Sequence, residues 1–379
     1  MDSMRDLMRV ALCLVTVQAG ICTPRLKTSN NANPTVLWKR VVLQDSDHGP
    51  RIIRPSNQFA SVTFLDDERI VISEEVPTGA LSKRDSAPES AFVLKVQLLN
   101  AITGAGAASL SLPTRRAQSS AQAVAGGLLI RAGSKLRLYS AEMKQVSEIP
   151  LPQDSGDDKW AVMVSNSQQT VVLRHYDSTH NQFILLDEAT WQVKRKWDNP
   201  PAWRPIELPY SASDEALARI DSEQKTILYS KFGDSDWRAI RAPSRIGCSG
   251  TTPAWINTVS LVNIGCDLAV ISVGGEVLMR FAPPKNWTFQ DRVAISQSGR
   301  YLATRQDTGK GGGFFDRDVI WTGSRIVVYD LSAKSLVLSV SVVPRPRDTY
   351  DFALSPDGSK LAVLNDGTLS VYSVQGATE

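Results

Sequence analysis

Histidine and cysteine are scarce in this chain, three and four among 379 residues. So few histidines leave little from which to assemble a Ser-His-Asp triad, and no GxSxG elbow accompanies them. The cysteines form neither a CxxC pair nor a Cys/His set with zinc spacing. An excess of one charge is also missing. Forty-two Lys and Arg against 39 Asp and Glu leave +3, which gives no electrostatic footprint for DNA or RNA. Long apolar runs are absent as well: Val10–Val17 falls well short of the ~20 residues that span a bilayer, so stable membrane insertion is not expected. What is present, 42% hydrophobic and 21% charged residues, excludes a disordered chain. The length admits one large domain or two to three ordinary ones.

Arg5 and Arg9 precede the apolar run, and Val17-Gln18-Ala19 follows it with small or aliphatic groups at −3 and −1. That pattern predicts a secretory signal peptide over 1–19, a linker over 20–34 and a single domain over 35–379. The protein is then secreted or periplasmic. Lipidation at Cys22 is not expected, because Ile21 stands where a small residue is wanted. In an oxidising compartment Cys248 and Cys266 would form a disulfide, stabilising by ~3 kcal/mol. Two buried free thiols are the alternative if the chain is not exported.

The body of the chain repeats. Ser355-Pro356-Asp357-Gly358-Ser359-Lys360-Leu361-Ala362 is matched upstream by Ser296-Gln297-Ser298-Gly299-Arg300-Tyr301-Leu302-Ala303. Ser211 to Leu217-Ala218, Ser165 to Val171-Val172 and Phe64 to Ile70-Val71 keep the spacing with relaxed chemistry. Each is an apolar alternation, a polar turn and a second apolar strand, which is a hairpin. A further strand follows each hairpin and ends in a polar residue: Asn100, Ser140, Asp187, Ser230, Ser272, Asp330 and Ser373. Four strands in ~40–45 residues are the signature of a propeller blade, and seven units fit. Ser211–Arg219 has helical composition but aligns with the hairpins of its neighbours, so it is read as strand.

The SPDG hairpin and the strand ending Tyr329-Asp330 resemble the WD40-like propeller repeat of the bacterial YVTN or TolB type, over roughly 36–375. The resemblance implies an all-β, seven-bladed β-propeller and leaves function open, since propellers host unrelated activities. The chain departs from true WD40 repeats in having no Gly-His pair before its blades. After Ser373 too few residues remain for an outer strand, while Thr35–Leu43 has no hairpin partner. The N-terminal strand is therefore expected to close the ring as the outermost member of the last blade, covering an exposed edge.

Two intervals between second and third strands are swollen, Ser73–Ala91 and Arg305–Thr322, and both emerge on one face. Clustered insertions mark a binding side. Before successive inner strands stand Trp160, Tyr210, Trp255, Asp291 with Arg292, and Tyr350 with Asp351. These either ring the channel mouth, where aromatics suit a sugar or peptide, or pack between blades. Lys310, Phe314, Phe315, Arg317, Asp318 and Trp321 of the second insert would form a flap over the same mouth.

Other motifs fail. Gly309–Gly313 is not a P-loop and no helix follows it. His175, Asp177 and His180 are read as a solvated loop, and Asp154, Asp157 and Asp158 lack calcium-loop spacing. The leading expectation is an exported, non-enzymatic, monomeric propeller that binds a protein, peptide or glycan without a cofactor. The alternative is a propeller hydrolase or lactonase using Asp291 and Asp351, with Arg292 as oxyanion partner.

Overall fold

Apolar residues at every second position, interrupted by Gly, Pro and Asp turns, dictate short antiparallel strands. The computed structural model describes residues 34–41, 60–78, 92–115, 119–151, 159–176, 181–198, 210–221, 226–234, 236–240, 253–310, 320–343 and 351–374. Among the described residues there are strands and turns and no helix, hence none long and apolar enough to cross a membrane.

Strand β1 (Val36–Val41) stands apart, and the rest fall into groups. The first is β2 (Ala60–Phe64), β3 (Arg69–Pro77), β4 (Phe92–Asn100) and β5 (Gly106–Thr114). Next come β6 (Ser119–Val124), β7 (Gly127–Ala132), β8 (Lys135–Ser140) and β9 (Gln145–Pro150). The third holds β10 (Lys159–Val164), β11 (Val171–Tyr176), β12 (Asn181–Leu186) and β13 (Val193–Asp198). The fourth holds β14 (Tyr210–Ala212), β15 (Ala216–Asp221), β16 (Thr226–Lys231) and β17 (Arg238–Ile240). The fifth comprises β18 (Ala254–Asn257), β19 (Ser260–Ile264), β20 (Leu268–Ser272) and β21 (Val277–Phe281). The sixth comprises β22 (Trp287–Ile295), β23 (Tyr301–Lys310), β24 (Ile320–Asp330) and β25 (Ser335–Ser341), and the last β26 (Asp351–Leu354), β27 (Lys360–Asn365) and β28 (Thr368–Ser373).

Every group is a four-stranded antiparallel sheet in chain order except the last, which β1 completes in the order β1-β28-β27-β26. Seven blades result. Their first strands β2, β6, β10, β14, β18, β22 and β26 lie innermost, and β26 packs beside β2, so the ring closes. Single sheets cannot hide both faces. Phe64, Ile70 and Ile72 therefore pack on Leu364, Leu369 and Val371, and Tyr301 and Val328 on Phe352 and Leu361. Outer strands are wet: all of β13 except Trp197 is exposed.

The N-terminal strand does more than cover an edge. β1 pairs antiparallel with β28, Trp38 opposite Val371 and Val41 opposite Thr368. Trp38 Nε1 donates to the Ala101 carbonyl at 2.7 Å and Arg40 to that of Gly104 at 2.6 Å, so β1 also fastens the seventh blade to the first.

The SPDG turn shows why its residues are there. Ser355 Oγ donates to Asp357 Oδ1 at 2.5 Å and accepts from the Lys360 amide at 2.9 Å. Gly358 adopts φ +78°, and a Cβ there would sit 2.2 Å from Tyr301 of the sixth blade. Gly358→Ala is expected to cost about 2 kcal/mol through left-handed strain and displacement of Tyr301, read as a melting point several degrees lower.

Two expectations need correction. The swollen intervals are partly strand: β3 runs on to Pro77 and β23 to Lys310, because alternate residues such as Ser73 and Glu75 are buried and keep the ladder going. His175 is not in a solvated loop; it lies on β11 and stacks on Trp160 with centroids 4.4 Å apart.

Candidate functional site

A cavity of about 570 Å³ runs along the propeller axis, walled by the inner strands of the first, second, sixth and seventh blades and by the end of β10. Its floor lies on the face of the inner hairpin turns and is laced across the axis. Asn166, after the third hairpin's Ser165, donates to the Ser296 carbonyl at 2.8 Å, and Gln297 returns a bond to the Ser167 carbonyl at 2.6 Å. Ser167 Oγ also donates to Asp214 at 2.6 Å, the Ala125 amide to the Gln168 carbonyl at 2.8 Å, and the Gln297 amide to that of Pro356 at 3.0 Å. The Asp357 amide reaches Asp67 at 2.9 Å, linking the seventh blade to the first.

Burial works against ionising Asp357, but hydrogen bonds from Ser355, Ser359 and Asp67 outweigh it and leave its pKa at about 2. Burial and the neighbouring Asp357 push Asp67 up. Asn166→Ala, which removes the hydrogen bonds across the axis to the Ile256 and Ser296 carbonyls, is expected to lower stability by about 1 kcal/mol in denaturant unfolding.

The opposite end is ringed by hydroxyls and one ion pair. Arg292 and Asp351 each stand four residues before their hairpin serine, Ser296 and Ser355, and so share a level on adjacent inner strands. Arg292 Nη2 meets Asp351 Oδ1 at 2.6 Å. Asp351 is wholly buried and accepts from the amides of Val62 at 2.8 Å and Phe352 at 2.7 Å, tying the sixth, seventh and first blades together. Its burial raises the carboxyl above the ordinary aspartate range, against the pull of Arg292 and those amides. Ser61 and Ser73 share a hydrogen bond of 2.7 Å beside it. On the second blade Ser119 donates to the buried Glu75 at 2.5 Å, and Ser120 also lines the wall.

Of the residues nominated from sequence, Arg292 and Asp351 come together at the cavity. Trp160, Tyr210 and Trp255 pack between blades. Trp160 is buried against His175, and Trp255 is buried with its Nε1 on the Ser211 carbonyl at 3.3 Å. Tyr210 sits edge-on to Phe183 and Trp237 under the guanidinium of Arg174. The backbones of Asp291, Lys310 and Trp321 lie in β22, β23 and β24. Phe314, Phe315, Arg317, Asp318, Tyr350 and Cys248 lie outside the described residues, and Cys266 lies in the β19–β20 turn. Sequence reading missed the serines and the floor. Asn166 and Gln297 share one position of the repeat, each following its hairpin serine, where Pro356 stands in the last, but that position alone does not signal a partner across the axis.

No protein-family model matches the chain, and no curated protein matches it. Solved structures do. The C-terminal WD40 domain of Sif2 superposes with a TM-score of 0.51 at 13% identity, covering 84% of this chain and 97% of that domain. The fold is WD40-like. Hsv2 of Kluyvelomyces marxianus is also similar, with TM-score 0.42, 15% identity, and 67% of this chain and 70% of that one covered. Within this propeller, no three His, Cys, Asp or Glu side chains gather as a metal site among the described residues.

Proposed function

We propose that this propeller is an exported, monomeric, non-enzymatic binding module of the bacterial YVTN or TolB type, which receives a segment of a protein, peptide or glycan in the mouth of its axial cavity. The carrying observation is the asymmetry of that cavity: one end is crossed by hydrogen bonds between blades, while the other presents hydroxyls and a half-exposed arginine. The hydrolase reading has less support, because both oxygens of Asp351 already accept hydrogen bonds and its carboxyl is inaccessible.

Peptide and glycan arrays probed with the full chain and with Ser120→Trp, which fills the mouth, test the reading. Loss of at least tenfold in affinity for any bound member supports it, and undiminished binding by the variant refutes it. Export is checked by fractionating host cells. If Cys248 and Cys266 pair, reduction lowers stability by ~3 kcal/mol, read as a lower melting temperature in dithiothreitol.

A further inference from the structure

We infer that the axial cavity is built for a carboxylate, gripped by the guanidinium of Arg292; this rests on the cavity being the binding site and adds the chemistry of what enters it. The first observation is backbone. Phe289 pairs with Gln306 and Val293 with Thr304, so Gln290, Asp291 and Arg292 stand against Arg305 alone. Two extra residues are thus spent in β22 at the level of the mouth. Bulges of this kind re-aim a side chain, and the Thr304 hydroxyl fixes this one by donating to the Arg292 carbonyl at 3.1 Å.

The second observation is how the guanidinium is held. Asp351 takes one nitrogen at 2.6 Å and is itself pinned by two backbone amides. The Phe352 ring lies 5.7 Å away. Among the described residues the guanidinium meets no acceptor other than Asp351, and the side chain is 51% exposed. A buried anchor therefore presents an oriented fork whose remaining donors face the cavity. An arginine serving only to neutralise Asp351 would need no such exposure.

The third is what surrounds it. Arg292 is the only cation among the described lining residues, and Asp351, the only acid, lies behind it. The neighbours on the wall, Ser61, Thr63, Ser120 and Gln122, are neutral. With Asp351 on one nitrogen, the remaining edge of the guanidinium and the neutral hydroxyls around it match the two oxygens of a carboxylate. Because Asp351 already balances that guanidinium, added charge goes largely uncompensated, which favours a carboxylate with one charge over a phosphate with closer to two. Such a carboxylate belongs either to a peptide chain end or to a uronic acid.

The test uses the full chain labelled with ¹⁵N-arginine, following the Arg292 Nε–Hε resonance, assigned from its loss in Arg292→Lys. The probes are N-acetyl-dialanine, its C-terminal amide, glucuronate and glucose. The expected result is saturable displacement by a carboxylate probe at least tenfold tighter than by its neutral counterpart, abolished by Ser120→Trp, with Arg292→Lys binding the same probe at least fivefold more weakly in isothermal titration calorimetry. The carboxylate that saturates first identifies the source. Equal binding of acid and neutral probes, still lost in Ser120→Trp, overturns the carboxylate while leaving the cavity as the site. No displacement by any probe overturns the carboxylate inference outright; should array-selected ligands also bind Ser120→Trp unchanged, the cavity reading falls with it.

Discussion

A chain beginning at residue 42 is expected to lose most of its stability and to self-associate. The deletion removes the fourth strand of the seventh blade and strips the hydrogen-bonding edge of β28. It also removes Trp38, which lies against Gly104 of the first blade so closely that a Cβ on that glycine would come within 2.9 Å of its ring. Tryptophan truncations in cores cost about 3–5 kcal/mol, and the lost ladder bonds add to this. An exposed edge is in addition a template for another chain. Trp38→Ala alone, at a half-buried site, is expected to cost about 2 kcal/mol. Calorimetry and sedimentation check both; a truncated chain that melts like the parent and stays monomeric would show that the ring does not need its N-terminal strand.

Asp351→Ala is expected to be the most damaging single substitution at the cavity, about 3–5 kcal/mol. It strands the amide of Val62 and leaves Arg292 without its counter-ion. Asp351→Asn, which keeps the shape and an acceptor, is expected to lose less. The sign with pH separates the two effects. The folded carboxyl titrates above its unfolded value because burial disfavours the charge. Its contribution is therefore complete below the ordinary aspartate pKa and declines as pH rises through the folded one. The stability difference between wild type and Asp351→Asn should shrink as pH rises from the acid range towards neutrality. A difference that grows with pH would mean that the Arg292 pair outweighs burial.

The fold was largely legible because period-two alternation and turn chemistry are local, and each repeat restates them. Ser355-Pro356-Asp357-Gly358 announces its hairpin, and Thr35–Leu43, an apolar run with no hairpin partner of its own, announces a strand that pairs elsewhere. The site was half legible. Arg292 and Asp351 stood out as charges just ahead of inner strands, where a blade offers apolar alternation. The tryptophans misdirected, because an aromatic at the start of an inner strand satisfies the inter-blade core as readily as a mouth. Trp160 stacked on His175 and Trp255 capped by the Ser211 carbonyl are that case. The floor was hidden for another reason. Asn166 and Gln297 act across 130 residues of sequence, and no local pattern reports a contact through the axis.

The most direct measurement is a crystal structure of the full chain bound to a ligand selected on the arrays. The expected position of that ligand is inside the axial cavity, with a carboxylate on Arg292 and the rest of the ligand leaving past Ser61 and Ser120. A ligand lying along an outer strand such as β5, or against the hairpin turns around Asn166, would contradict it.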